Sequence, residues 1–397
     1  MKKFFYESID GNLDKLSSER NLRILPAVSH DGKWIIRDGG KMLNLSSNDY
    51  LGIASDKEKS AMFCKEKSYG SFVFGSGSSR LLTGNYRIYD EVEDFLAERY
   101  CAEAALIFSS GYHMNSGLLP AICSAGRTLI LADRLVHASI IDGMRLSRAD
   151  FMRYRHRDYS HIVALLKKHY RQYEQVLLVT ESIFSMDGDI APLASLVELK
   201  HEFKNLLLYV DEAHAVGVRG KGGLGIAEEQ NCIEGIDFLC GTMGKAYASQ
   251  GAFAICSGKA KEFFVNHART LIFTTALPPL QMEWSLYTMK LAAEMDEQRR
   301  RIAAISCKVR ESMAKKGCAS PSQSHIIPLI TGESSKALEY AELFRKDGFY
   351  LLPLRPPTVP EGTSRIRLSV NASICEDDID EFLNSGSFNM YLSLNRL

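Results

Sequence analysis

The chain has 397 residues, and its 48 Lys plus Arg equal its 48 Asp plus Glu, so no global field draws it to nucleic acid or an anionic membrane. A hydrophobic content of 46% over this length is that of a soluble protein with a large core and more than one domain. Nine cysteines without a Cys-x-x-Cys pair argue against a zinc cluster or disulfide framework and suit a reducing, cytoplasmic setting with no metal.

The N-terminal Met1-Lys-Lys-Phe-Phe-Tyr6 runs straight into polar residues and lacks the apolar stretch of a signal peptide, so residues 1–50 read as an arm. Gly75-Ser-Gly-Ser-Ser-Arg80 superficially suggests a dinucleotide loop, but it follows no convincing strand and lacks the later glycine. Short β-rich runs then alternate with longer amphipathic segments: Ala104 to Phe108, Thr128 to Ala132, Val176 to Thr180, Leu206 to Asp211, Phe238 to Gly241 and Ala252 to Cys256. Several are apolar without period-two alternation, as expected of strands covered on both faces, so the pattern predicts an α/β fold with a mostly parallel central sheet. Residues 51–280 form the large domain on this reading. From about Pro278 the pattern changes to a helical stretch, Met282 to Glu297, then a charged run and a further α/β section, which predicts a smaller domain over 281–397. The charged run Gln298-Arg-Arg-Arg-Ile302 fits a solvated helix face.

Two motifs carry chemistry. Val210-Asp-Glu-Ala-His214 ends a buried strand, and Cys240-Gly-Thr-Met-Gly-Lys245 follows it. A lysine at the end of a small-residue turn, for which Gly241 and Gly244 are suited, can bond a cofactor aldehyde, and an aspartate can keep a pyridine nitrogen protonated. Together Lys245 and Asp211 point to pyridoxal 5'-phosphate. The Asp-Glu-Ala-His box also occurs in helicases, but no Gly-x-x-x-x-Gly-Lys-Ser/Thr loop precedes it. Ser109-Ser-Gly-Tyr-His-Met-Asn115 follows a strand, turns on Gly111 and can open a helix whose first amides face a phosphate; Thr242 is a candidate hydroxyl for the same group. His137 and His214 follow strand ends on the same edge. Each feature alone has a plain reading, as a surface lysine, a helix-capping aspartate, a strand-to-helix turn or a loop histidine. Their convergence on strand ends favours the cofactor.

Ser46-Ser-Asn-Asp-Tyr-Leu-Gly52, Gly75-Ser-Gly-Ser-Ser79, Ser110-Gly-Tyr112, Asp133-Arg-Leu-Val-His-Ala-Ser139, Phe184-Ser-Met-Asp-Gly-Asp189, Asp211-Glu-Ala-His214, Thr242-Met-Gly-Lys245 and Arg365-Ile-Arg367, in this order, resemble the α-oxoamine synthases. The resemblance implies a fold-type I pyridoxal phosphate-dependent transferase, a homodimer with shared active sites, that condenses an amino acid with an acyl thioester and releases carbon dioxide. It implies Lys245, His137 and Asp211 as catalytic residues. It assigns cofactor contacts to Gly111, Tyr112, His137, Ser185, Asp211, His214, Thr242 and Lys245, with Thr274 or Thr275 reaching across from the partner subunit. Substrate contacts fall to Arg23, Asn48, Thr358 and Arg367. Leu354-Arg-Pro-Pro-Thr-Val-Pro360 is most similar to members of the biotin-pathway branch, which join L-alanine to a pimeloyl thioester. Members using glycine with an acetyl donor, or serine, are the alternatives within the family, and a fold-type I aminotransferase is the alternative outside it. Tyr247-Ala-Ser-Gln-Gly251 stands where the family is usually richer in glycine, which predicts extra bulk near the acyl channel.

Overall fold

A computed structural model describes residues 2–67 and 72–395. The chain folds into two compact units, one of residues 1–48, 186–188 and 301–397, the other of residues 49–185 and 189–300. The sequence reading divides the chain at 280 and keeps 1–50 as an arm of its own. In the structure the helix Pro279–Ala293 belongs to the larger unit, and the N-terminal segment groups with the C-terminal one.

In the smaller unit, after the helix α1 (Lys2–Ser18), the strands β1 (Ser29–Asp31), β2 (Trp34–Arg37) and β3 (Gly40–Asn44) form an antiparallel meander. Asp38 and Gly39 both take positive φ, 52° and 77°, between the paired Arg37 and Gly40. That is the two-residue turn whose twist suits a hairpin, and Asp-Gly is a favoured sequence for it. The larger unit contributes β4 (Ala104–Phe108), β5 (Thr128–Asp133), β6 (Asp150–Tyr154), β7 (Gln175–Glu181), β8 (Leu206–Asp211), β9 (Phe238–Thr242) and β10 (Ala252–Cys256). Back in the smaller unit are β11 (Ile326–Gly332), β12 (Phe349–Tyr350), β13 (Pro353–Leu354) and β14 (Ser364–Ser369). Parallel pairing of β12 with β3 explains why the N-terminal segment joins this unit.

The larger unit is built on a seven-stranded sheet ordered β4-β10-β9-β8-β7-β5-β6. Only β10 runs against its neighbours; the other adjacent pairs are parallel. All residues of β4, β5, β9 and β10 are buried, as their Leu, Ile, Phe and Ala content requires under helices on both faces. β6 is the exception. It closes one edge, and four of its five residues reach solvent, so its sequence lacks the apolar run of a central strand. The core packs Leu106, Ile130, Val179, Tyr209 and Ala254 of the sheet against Met114, Leu118, Ile140 and Met144 of the helices.

Candidate active site

Because β4, β5, β7, β8 and β9 all point one way, their carboxyl ends share one edge, where open α/β sheets bind ligands. Asp211 is the last residue of β8, and His214 lies in the turn that follows rather than in a helix. Lys245 lies three residues beyond β9. Gly241 does not form the lysine turn as its sequence context suggests; it lies within β9, where a side chain would strike the ring of Phe253. The turn is instead closed by backbone bonds from Met243 to Gly251 and from Ala248 to Lys245, with Thr242 Oγ1 donating to the Gly251 carbonyl and accepting from the Gly244 amide.

Lys245 Nζ lies 2.9 Å from His214 Nε2, and the opposite ring nitrogen, Nδ1, lies 2.6 Å from the Tyr50 hydroxyl. When the lysine donates, Nε2 accepts and Nδ1 carries the proton given to Tyr50. Tyr50 is fully buried and holds the His214 ring in one orientation. It belongs to the Ser46-to-Gly52 motif but takes no role in the sequence reading.

Asp211 is 6% exposed, and both its oxygens are engaged: Oδ1 accepts from the Ala213 amide and Oδ2 from Asn115 Nδ2, each at 2.9 Å. Beside it, in register across β7 and β8, stands Glu181, a second carboxyl that the sequence reading misses. Burial, and next the charge of Asp211, lift the Glu181 pKa to about 8, so Glu181 holds its proton at neutral pH. Glu181 also accepts from the backbone N–H of His137 and thereby fixes the start of that residue's helix. The signal available in sequence was the position of Glu181 one residue beyond the apolar run of β7.

The helix α2 (Lys57–Glu66) precedes α3 (Ile88–Arg99), α4 (Gly111–Cys123) and α5 (Ala138–Ser147). Ser110 caps α4 by accepting from the His113 amide at 3.1 Å, and a Cβ on Gly111 would meet nothing within 4 Å. Open space in front of the first turn of a thirteen-residue helix suits an anion such as phosphate. Tyr112 is half exposed and donates to Asp142 Oδ2 at 2.7 Å. His137 caps α5, its Nδ1 accepting from the Ser139 amide; its ring remains exposed, as a ring that is to stack on a planar ligand must be. Burial of the surrounding site, the largest cause, holds the His137 pKa below the ordinary value, so the imidazole is neutral at pH 7.

Ser185 is buried in the loop closed by the Ile183–Ile190 bridge and by the Phe184 amide on the Asp189 carbonyl. That loop is bolted to the β5 end by His156, whose Nδ1 lies 2.9 Å from Asp133 and whose Nε2 lies 2.8 Å from Asp189, with Phe184 edge-on to its ring. Burial alone would lower the His156 pKa; the hydrogen bonds to the two carboxylates outweigh it and raise the value to about 9. Since the folded value lies above 6.5, the stabilisation is complete below about pH 6.5, shrinks as pH rises and is lost above about 9, with a size of about 3 kcal/mol at most. Urea midpoints measured from pH 6 to 10 should fall across this window, and His156→Gln should flatten that part of the curve.

The remaining candidates lie elsewhere. Thr274 is half-buried and Thr275 exposed, beyond the short helix Arg269–Ile272. In the smaller unit Arg23 Nη2 donates to Thr358 Oγ1 at 3.0 Å, and Arg367 Nη2 donates to Asn48 Oδ1 at 2.6 Å, so the four substrate candidates form two pairs. Arg365, two residues away from Arg367 on β14, is buried and committed to Asp187. The expected bulk of Tyr247 is taken up inside the larger unit, where its ring is buried beside Gly217. The segment after it is tied down by Trp284 Nε1 on the Ala248 carbonyl and by Ser249 Oγ on Ser285 Oγ.

An amine, a carboxyl group whose oxygens accept from two N–H donors, a neutral imidazole and an open helix N-terminus are the groups pyridoxal phosphate needs, and the residues present fit it. Among the described residues no helix is long and apolar enough to cross a membrane. Two relatives, from Haemophilus influenzae and Neisseria meningitidis, carry the name "Putative 8-amino-7-oxononanoate synthase"; they are 47% and 48% identical over 94% and 93% of this chain and 97% of their own. Serine palmitoyltransferase from S. paucimobilis superposes with a TM-score of 0.87 over 98% of both chains at 26% identity. The family model for aminotransferases of class I and II matches residues 40–385. The chain therefore belongs to the aminotransferase class I and II family, the fold-type I pyridoxal phosphate enzymes, on its α-oxoamine synthase branch.

Proposed function

We propose that this acyltransferase condenses L-alanine with a pimeloyl thioester, releasing carbon dioxide and the thiol to give 8-amino-7-oxononanoate, as a cytoplasmic homodimer. The observation that carries the reading is the near full-length identity of 47–48% to relatives named for this activity, in a chain whose strand ends gather Asp211, His214 and Lys245. When bound, the cofactor supplies an electron sink that allows a carbanion at the substrate Cα. Lys245 Nζ takes and returns the proton at that carbon, with His214 and Tyr50 keeping the amine in place between turns. Asp211 holds the pyridine nitrogen protonated. His137 covers the ring and presents its Nε2–H edge to the substrate. Gly111 and Tyr112 at the α4 N-terminus and Thr274 or Thr275 from the partner subunit receive the phosphate, with Thr242 joining them by turning its one hydroxyl proton away from the Gly251 carbonyl, and Ser185 receives the ring's polar edge.

Arg367, oriented by Asn48, is assigned the amino-acid carboxylate, since a guanidinium fork matches a carboxylate bidentately. Arg23 and Thr358 are assigned the acyl donor. Replacing His137 with Phe keeps the stacking area but removes the hydrogen-bonding edge. Cofactor affinity should fall less than about tenfold, while kcat/KM falls about a hundredfold. Equal large losses of both would show that the residue is misassigned. The substrate reading is tested by kcat/KM for glycine, alanine and serine against acetyl, succinyl and pimeloyl thioesters. Alanine with pimeloyl should lead, although one methyl group separates alanine from glycine by only about 1 to 3 kcal/mol. A glycine and acetyl optimum would move the protein to 2-amino-3-ketobutyrate ligase chemistry, and a serine optimum toward the activity of the structural neighbour.

A further inference from the structure

Asn115 is a buried polar side chain in the second turn of α4, 1% exposed, with no part in the assignments above. Its amide contacts three residues on two elements. Nδ2 donates to Asp211 Oδ2 at the end of β8 and to Ser139 Oγ in the first turn of α5, each at 2.9 Å, and Oδ1 accepts from the Tyr209 hydroxyl at 2.5 Å. Tyr209 is fully buried in β8, two residues before Asp211 and so on the same face of the strand. Ser139 in turn lies against His137, with 2.7 Å between its Oγ and Nδ1. The approach of α5 that makes this possible requires Gly143, where a Cβ would come within 2.5 Å of the Asn115 carbonyl.

The donors and acceptors have one consistent direction. The Tyr209 phenol must donate to Asn115 Oδ1, because a carbonyl oxygen has no proton to give; this fixes the amide with its N–H groups toward Asp211 and Ser139. Ser139 Oγ, accepting from Asn115, has its own proton left for His137 Nδ1, which also accepts from the Ser139 backbone N–H. The neutral imidazole therefore bears its proton on Nε2, at the ring edge away from Ser139. We infer that Asn115 is a positioning residue that sets the two groups facing the cofactor together, orienting the Asp211 carboxylate directly and selecting the Nε2–H tautomer of His137 through Ser139. The inference rests on the roles proposed above for Asp211 and His137. It also explains why a polar amide is tolerated in a core position flanked by Met114 and Leu118: each of its groups is satisfied, and an apolar replacement would strand Tyr209 and one lobe of Asp211.

The test uses refilled apoprotein and two substitutions, Asn115→Ala and the milder Tyr209→Phe, which removes one hydroxyl and leaves Asp211 untouched. Dissociation constants for pyridoxal phosphate, titrated by absorbance, should rise at least about tenfold in Asn115→Ala and about two- to tenfold in Tyr209→Phe. In an Asp211→Ala background the same substitutions should change the constant less than about twofold, because the group through which they act is gone. Nitrogen-15 spectra of histidine side chains in the apoprotein, with His137 identified by its loss in His137→Gln, should show it neutral and protonated on Nε2 at pH 7.5. Equal factors in the two backgrounds, or a proton on Nδ1 of His137, would overturn the inference while leaving Asp211 its role. No effect of Asp211→Ala on cofactor binding would overturn the Asp211 assignment itself, and the inference with it.

Discussion

Lys245→Ala protein should bind pyridoxal phosphate only noncovalently, lack the yellow borohydride-reducible form and lose all measurable condensation. The amine is placed for this by a turn with its own closure: Thr242 and Gly251 lock its base, and His214 meets its tip at 2.9 Å. Removing the side chain leaves those backbone bonds intact, so the variant should fold, and its circular dichroism and oligomeric state should match the parent's. The loss should exceed about 10⁴-fold, since both the covalent attachment and the proton transfer at Cα depend on one nitrogen. A variant that retains a reducible chromophore would place the attachment on another lysine.

Asp211→Asn is the second large effect. The substitution preserves shape, and an amide oxygen can still accept from the Ala213 or Asn115 N–H groups, so cofactor should still bind. What disappears is the negative charge opposite the pyridine nitrogen. A hydrogen bond to a charged group contributes about 1.5–3 kcal/mol, so this contact alone implies a loss of about 10- to 100-fold in kcat, with more from the weakened electron sink. Glu181 makes the result more diagnostic, because the Asp211 charge is the second cause of its raised pKa, and its removal in Asp211→Asn lets Glu181 ionise at a lower pH than the value of about 8 it has beside that charge. Measuring kcat from pH 6 to 9.5 in Asp211→Asn therefore checks both carboxyls. Partial recovery of activity as the pH rises, beginning below about 8, is the expected sign of Glu181 ionising, and Asp211→Asn/Glu181→Gln should not show it. Activity that survives Asp211→Asn unchanged but vanishes with a chelator would point to a metal role for Asp211.

The central strands could be read from sequence because burial on both faces leaves them no freedom of composition. Ala104 to Phe108, Leu206 to Asp211 and Ala252 to Cys256 coincide with β4, β8 and β10 residue for residue. The edge strand β6 has one side open to water and carries Asp150 and Arg153, so nothing in its pattern separates it from a loop. In the smaller unit β11 and β12 are fixed by pairings distant in sequence, such as Ile326 with Ser369 and Phe349 with Leu43, which no local pattern contains. The same distinction governs the site. Lys245, Asp211 and His137 announce themselves by chemistry and spacing. Tyr50, Asn115 and Glu181 act through residues 164, 96 and 30 positions away, respectively, and become visible only when the fold brings those partners within hydrogen-bond reach or across adjacent strands. Tyr247 shows the converse, since its bulk suggested a narrower channel and the fold turns it into the interior.

The most direct test of the whole account follows a single turnover with carboxyl-labelled L-alanine and pimeloyl thioester, counting carbon dioxide, free thiol and aminoketone together. Equal amounts of all three, with the cofactor returning to its starting absorbance, are the expected result. Pyruvate with stoichiometric conversion of the cofactor to its pyridoxamine form, and no thiol released, would contradict it and make the protein an aminotransferase.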